Sequence, residues 1–169
     1  MVRISLLVIL TLVLSVSYAQ CGGDCSESKV EKAMKLMIEK ASKLGVAKIE
    51  GVEKLDGVDI PVLHFGKNKI NGLTSLVDDV KKEVGASATV FVRVGDNFIR
   101  ITTNILKDGK RAIGTPLDPK GKAYAKIVKG KAFYGKVDIL GKMYNTGYEP
   151  IFDEKKNVIG IYYVGYLAE

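Results

Sequence analysis

Arginine set among tyrosines on neighbouring strands is the arrangement in this chain whose residue types suit recognition chemistry. A guanidinium grips a carboxylate through two parallel N–H bonds, and phenol hydroxyls add neutral hydrogen bonds around it. Between Ala88 and Tyr166 the sequence supplies Arg100 in FIRITTN, Arg111 in KRAIGT, Tyr134 in FYGK, and Tyr144, Thr146 and Tyr148 in MYNTGYEP. Period two puts Tyr144, Thr146 and Tyr148 on one face of a strand. The same period groups Arg100 with Phe98, Thr102 and Asn104, on a face that lines either a cavity or solvent. Tyrosines on a half-buried strand are also ordinary packing residues, and composition by itself favours packing over binding.

Catalytic chemistry has thinner support. His64, the sole histidine, sits between Leu63 and Phe65 with no nucleophile or orienting acid in a recognisable pattern, and reads as a structural residue at a sheet edge. The chain lacks a G-x-S-x-G elbow, an H-E-x-x-H motif, a P-loop and clustered metal ligands, and Ser87 in GASA has no closing glycine. Asp138 and Glu149 fit strand carboxylates that face solvent or pair with lysine. No enzyme, cofactor or metal is expected.

The elements that must position the arginines and tyrosines follow from periodicity. In Tyr134–Tyr166 two apolar, aromatic, β-branched runs flank the polar turn Asp153–Asn157, the pattern of an antiparallel hairpin. Ala88–Val94 and Phe98–Ile105 are a second pair of strands, joined by Gly95-Asp96-Asn97. Lys107–Lys110 is a turn. Asp118 as N-cap and Pro119 at the first helical position open a short helix running to about Gly130. Upstream, Val30, Ala33, Met34, Met37, Ile38, Ala41 and Leu44 make one apolar stripe of a helix over Ser28–Leu44, with Ser28 and Glu31 as a capping box and Gly45 as C-cap. Asp56-Gly57 is a turn, Val58–Phe65 a strand, and Leu73, Leu76, Val77, Val80 and Val84 mark a second amphipathic helix closed by Gly85.

Met1–Ala19 has the form of a signal peptide: Arg3, an apolar stretch from Ile4, and small residues at Ser17 and Ala19. An uncleaved membrane anchor is the alternative, although Ile4–Ala19 is shorter than the ~20 residues that cross a bilayer. Cys21 and Cys25, the two cysteines, follow the expected cut as either an exported disulfide or two surface thiols. The expected organisation is thus a signal peptide over 1–19, a leader over 20–28 and one domain over 29–169, located in the periplasm or outside the cell. The net charge of +7 and pI near 9.3 raise nucleic acid as a partner. The lysines, however, are scattered singly or in pairs among acids, as on a solvated surface, and no nucleic-acid motif is present.

The motifs RITTN, DGKRAIGTPLDP, VDILG and TGYEPI, in that order, closely resemble the Cache 3/Cache 2 fusion domain, and IPVLHFG and the LVDDV helix extend the resemblance to roughly Val30–Tyr166. The resemblance implies an α+β, PAS-like fold, with a long N-terminal helix packed on a central antiparallel sheet and short flanking helices. It also implies the role of an extracytoplasmic sensor domain binding a small metabolite, an organic acid or similar, on the sheet's concave face. Carried over by motif, the arginine of RAIGT is Arg111, and the pocket tyrosines are among Tyr134, Tyr144 and Tyr148. Arg100 and Thr146 follow, by strand parity only. Such domains usually sit between membrane helices and drive an output module, whereas this sequence stops at Glu169. The expectation is therefore a freestanding binding module, read by a membrane-bound signalling partner or pairing as a homodimer through Val30–Leu44. Loss of binding on Arg111→Ala, with the fold intact, is expected. The alternative is a structural or interaction protein of the cell envelope that keeps the fold and binds a partner instead of a small ligand.

Overall fold

The computed structural model describes residues 28–168; the expected signal peptide, Cys21 and Cys25 lie outside the described residues. The N-terminal helix forms as α1, Lys29–Leu44, and its apolar stripe buries Ala33, Met34, Met37 and Ala41. Its start is fixed by the capping box: the Glu31 amide donates to Ser28 Oγ at 3.2 Å and the Ser28 amide to the Glu31 carboxylate at 2.8 Å. These bonds satisfy amides that a helix start otherwise leaves without partners. The second helix, α2, spans Thr74–Val84, buries Leu76, Val77 and Val80, and ends on Gly85 in the left-handed conformation.

Between the helices lie β1 (Ala47–Leu55), β2 (Val58–Phe65) and β3 (Asn68–Lys69), a small antiparallel sheet in the order β1-β2-β3. The expected strand Val58–Phe65 forms with those bounds. β1 is an addition to the sequence reading: most of its side chains are exposed, and the alternation over Ala47–Glu50 breaks at an irregularity in register between Ile49 and Val52. Where β2 ends, Gly66 approaches the end of α1 so closely that a Cβ built on it would stand 2.5 Å from the Leu44 carbonyl oxygen.

The central sheet has five antiparallel strands in the order β5-β4-β10-β9-β8: β4 (Ser87–Val94), β5 (Asn97–Thr103), β8 (Phe133–Ile139), β9 (Lys142–Phe152) and β10 (Val158–Leu167), while the two-residue strands β6 (Leu106–Lys107) and β7 (Lys110–Arg111) pair only with each other. The hairpin expected around Asp153–Asn157 joins β9 to β10, with the Asp153 carboxylate accepting from the Asn157 amide and side chain. β8 adds a third strand through a turn at Leu140-Gly141, both at positive φ.

One face of this sheet packs on α1, α2 and β2, with Val90, Val92, Ile101, Ile151 and Val164 in the shared core. The other face carries a second core, in which Phe91, Phe98, Ile161, Tyr148 and Tyr163 meet Ala123 and Ile127 of the short helix α3 (Lys122–Ile127). The layout agrees with the α+β, PAS-like expectation: a long N-terminal helix on an antiparallel sheet, with short helices beside it. The start of the short helix is corrected. Asp118 caps a turn, accepting from the Lys120 amide at 2.9 Å and the Gly121 amide at 3.0 Å, and the helix begins after Gly121.

A second correction concerns β5. Phe91 lies opposite Arg100 and Val90 opposite Thr102, so Ile101 is an extra residue in a bulge. A bulge resets the alternation of side chains. Arg100 consequently stays on the α3 side with Phe98. Thr102 turns to the helix side, where it donates to the Leu73 carbonyl, and Asn104 there bonds Ala88 and the Val77 carbonyl.

Candidate functional site

The α3 face of the sheet is built in rows of cross-strand neighbours. Phe133, Tyr148, Tyr163, Thr89 and Thr103 form one row across all five strands. Two residues along, toward the turn of the last hairpin, Ile161, Phe91 and Arg100 form the next. In the other direction come Gly135, Thr146, Gly165 and Ser87. The hydroxyls of the central row therefore border a guanidinium on one side and small residues on the other. Gly165 serves this directly, because a Cβ there would stand 2.3 Å from the Tyr163 hydroxyl.

Arg100 is 5% exposed. Its NH1 donates to Thr115 Oγ1 at 2.5 Å, and its guanidinium carbon lies 5.1 Å from the centre of the Phe91 ring. Among the described residues no carboxylate pairs with it, and its buried Nε has no hydrogen-bond partner. Burial pulls its pKa down, opposed in part by Tyr148 and Tyr163. Tyr148 is fully buried, its ring 4.9 Å from that of Tyr163, and its hydroxyl also lacks a partner. Buried polar groups are nearly always hydrogen-bonded, and an unmade bond costs about 1–3 kcal/mol, more for a charged group. Arg100 Nε and the Tyr148 hydroxyl are thus two buried donors on the same face of the sheet without a partner among the described residues.

The strap that delivers Thr115 is the RAIGT segment. It runs along β5, with the Arg100 amide donating to the Thr115 carbonyl and the Gly114 amide to the Arg100 carbonyl, while Thr115 Oγ1 donates to Ala112. Arg111 begins this strap and faces elsewhere. Its NH1 and NH2 donate to the two Asp78 carboxylate oxygens at 2.9 and 2.8 Å, and NH1 also donates to the Thr103 carbonyl. The fork that the motif singles out thus has a partner on α2.

The structure brings Arg100, Tyr144, Thr146 and Tyr148 to one face of the sheet and places Tyr134 on the other, against Val30, with its hydroxyl donating to Glu149. Thr146 Oγ1 is committed to the Gly135 carbonyl at 2.7 Å. Tyr144 lines a cleft of about 280 Å³ with Ser87, Lys81, Lys142 and Leu140. Ser87 Oγ lies 3.4 Å from the Tyr163 hydroxyl and donates to the Gly165 carbonyl, so the cleft reaches the central row. Tyr163 and Thr115 are additions to the sequence reading. A larger cleft, about 520 Å³, is lined by Val46–Ile49, Lys67 and Asp153–Lys155. Its charged groups are surface side chains, so the buried unbonded pair outweighs its size.

Burial, augmented by the neighbouring Tyr163, pushes the Tyr148 phenol well above its usual range, and burial pushes Tyr163 up to about 12. Both remain neutral donors at physiological pH. Because their folded pKa values are raised, the stability they contribute is complete below pH 10 and is lost as pH climbs through the folded values, since the unfolded chain deprotonates first. Tyr163→Phe is expected to lose less stability than the parent between pH 9 and pH 11, by about 1 kcal/mol, as read by urea unfolding at both pH values.

Among the described residues no group of three or more His, Cys, Asp or Glu is placed to hold a metal ion, and no helix is long and apolar enough to cross a membrane. His64 lies on β2 beside Lys48 and Lys69, remote in register from the central sheet's polar row. The family model described as Cache 3/Cache 2 fusion domain matches residues 23–169. Comparison with curated proteins gives no match. Among solved structures, the E. coli DcuS sensor domain is similar at 19% identity and a TM-score of 0.43, over 57% of this chain and 66% of that one. The chain thus spans slightly less than two thirds of that structure.

Proposed function

Because the chain belongs to the Cache 3/Cache 2 fusion domain family over residues 23–169, a family of non-catalytic extracytoplasmic sensor domains, we propose that it binds a small organic acid at Arg100 and reports occupancy through α1. The observation that carries this reading is the buried Arg100 Nε without a partner, beside the unbonded Tyr148 hydroxyl. A carboxylate seated there would satisfy both, and the Arg100 charge would gain the counter-ion it lacks. Tyr163 supplies a second neutral donor, and Tyr144 lines the approach. Arg111 supports the site from behind, holding the strap that carries Thr115 against Asp78. Occupancy reaches α1 because β10 is shared: Tyr163 faces the site while Tyr162 and Val164 pack in the α1 core. Bound and free states would differ in how α1 sits on the sheet, and a partner with different affinity for the two would turn binding into signal. An N-terminal signal peptide over 1–19 and a leader over 20–28 would deliver residues 29–169 outside the cytoplasm, where a membrane-bound partner or a second copy reads α1.

A thermal-shift screen against small carboxylates, amino acids and purines tests this. A ligand that binds only the folded state raises the melting temperature with concentration, by ~2.7 kcal/mol of stability at one hundred times its Kd. One carboxylate class should give a dose-dependent rise that Arg100→Gln abolishes and Arg111→Ala weakens. A flat panel on protein shown to be folded would instead favour an envelope scaffold without a small ligand.

A further inference from the structure

At the end of the domain where α1 begins and β10 finishes, apolar side chains stand exposed on the tips of two hairpins, and we infer that this end docks on an anionic membrane surface. Leu106 in the β6–β7 hairpin, Leu140 and Met143 in the β8–β9 hairpin and Leu167 at the end of β10 are between 44% and 60% exposed. They lie together. Leu106 and Leu140 line one cleft with Tyr144, Leu167 is the cross-strand neighbour of Tyr144, and the Met143 carbonyl accepts from the Ala168 amide. Exposed apolar clusters rimmed by polar groups mark contacts with proteins or membranes. Leu140 is the most telling of the four. It has φ +55 and its neighbour Gly141 φ +83, in the two-residue tip between the paired Ile139 and Lys142. Such a tip favours Asn-Gly, and a leucine is strained in it. The turn is closed by the Asp138 carboxylate, which accepts from the Gly141 amide, so the hairpin does not need a leucine to form. A strained apolar residue at the outermost point of a hairpin points to a contact outside the chain.

The charges favour a membrane over a second copy of the chain. Lys81 and Lys142 line the cleft between Leu106 and Leu140, and Lys107 and Lys110 flank the β6–β7 tip. Among the described residues none of the four is in an ion pair. The carboxylates on the tips are Asp108 and Asp138, and Asp138 is turned to its own hairpin; Glu169 follows β10 outside the described residues. On an anionic bilayer the leucines would enter the boundary between headgroups and acyl chains while the lysines stay at the lipid phosphates. A symmetric contact with a second copy would set these lysines against one another. The start of α1 lies at this end too, with the Lys29 ammonium 4.3 Å from the centre of the Tyr166 ring. An N-terminal membrane anchor, the alternative to cleavage, would therefore hold this end toward the bilayer. The inference stands apart from the ligand site. Arg100 is opposite Phe91, four residues along β4 from the Ser87 of this cleft, and a shallow insertion would leave the cleft in the hydrated headgroup layer, open to a small acid.

The chain has no tryptophan, so single tryptophans placed in the full chain report the contact directly. Leu140→Trp and Leu106→Trp mark the tips, and Val52→Trp, at another exposed apolar position on β1, is the control. Emission is read with phosphatidylcholine vesicles, with and without phosphatidylglycerol, and with brominated lipid as a contact quencher. The expected result is a blue shift and bromine quenching at both tip positions on phosphatidylglycerol vesicles, suppressed by high salt, while Val52→Trp is unchanged. The N-terminal segment is the same in all three variants, so its own affinity for lipid cannot produce the difference between them. Adding Leu140→Asn to Leu106→Trp should raise the vesicle concentration needed for half quenching by about 10-fold, from the lost burial of one leucine. The same substitution should raise the melting temperature, because asparagine suits the left-handed turn; opposite signs separate a docking leucine from a packing one. Tip emission unmoved by phosphatidylglycerol vesicles, or moved together with the control, would overturn the docking. An equal response to neutral vesicles would overturn the anionic preference. Tip emission already blue-shifted without lipid, and dependent on protein concentration, would assign the tips to a second copy and overturn the membrane. The two tip variants are independent, so one that does not fold leaves the other to decide.

Discussion

Replacing Arg100 with methionine is expected to make the ligand-free protein more stable while abolishing its response to ligand. Most substitutions of a buried residue with several contacts destabilise, so the sign is diagnostic. Arg100 is held as a charge in a nearly closed apolar setting, with no carboxylate among the described residues and with Nε unbonded. Desolvating a charge without a counter-ion costs several kcal/mol, only partly recovered by one hydrogen bond to Thr115 and the face of Phe91. Methionine keeps much of the length and the contact with Phe91 and removes the charge. Thr115 Oγ1 keeps its own bond to the Ala112 carbonyl, so no new unsatisfied donor is created. A gain of about 1–3 kcal/mol is expected, or a rise in melting temperature of ~2–4 °C per kcal/mol for a chain of this size. Thermal unfolding with and without ligand reads both halves. A loss of stability greater than about 1 kcal/mol would mean that the guanidinium is a structural brace, and a ligand response that survived would remove it from the site.

The largest loss is expected from Gly66→Ala. Gly66 has φ +59, where an L side chain is already strained, and its Cβ would stand 2.5 Å from the Leu44 carbonyl oxygen, a backbone atom that cannot swing away. Gly45, on the other side of the contact, has φ +121 and meets the Gly66 backbone at 2.6 Å in the same way. Two chain segments are thus pressed together where only hydrogens fit: the end of α1 and the end of β2. Separating them would also disturb the Gly66 amide bond to the Val46 carbonyl and the Asn68 side-chain bond to Leu44. Destabilisation of ~3 kcal/mol or more is expected. Gly57→Ala is the comparison: its φ is +82, but nothing lies within 4 Å of its Cβ position, so it should lose only the ~1–2 kcal/mol of left-handed backbone strain. Urea midpoints of the two variants that coincided would show that the contact at Gly66 yields easily.

The sequence makes the frame legible where one residue pattern is tied to one local structure. α1 begins where Ser28 and Glu31 say it should, α2 ends on Gly85, and the turn at Asp56-Gly57 delivers β2 as expected. The site is less legible, because its character depends on contacts between distant segments. Arg111 stands in the more distinctive motif, but its partner Asp78 lies thirty-three residues away on α2, and nothing local announces that pairing. Arg100 is on a face that parity identifies, yet parity also gives it Thr102 and Asn104 as companions, which the bulge at Ile101 sends to the opposite side. In IYYVGY, Tyr162 and Tyr163 are neighbours of the same type. Only the register of β10 decides that Tyr163 looks at Tyr148 and Tyr162 at Phe65.

That register has a consequence for how the protein can change. Along β10 the odd positions Ile161, Tyr163 and Gly165 border the polar row, while the even positions Tyr162, Val164 and Tyr166 touch the layer of α1 and α2. The wall between input and readout is therefore one strand thick, and its two surfaces are written in alternate letters of the same six-residue word. Substitutions at odd letters can retune what is recognised, and those at even letters can retune how firmly the helices ride on the sheet. A single inserted residue, by contrast, would exchange the two vocabularies at once.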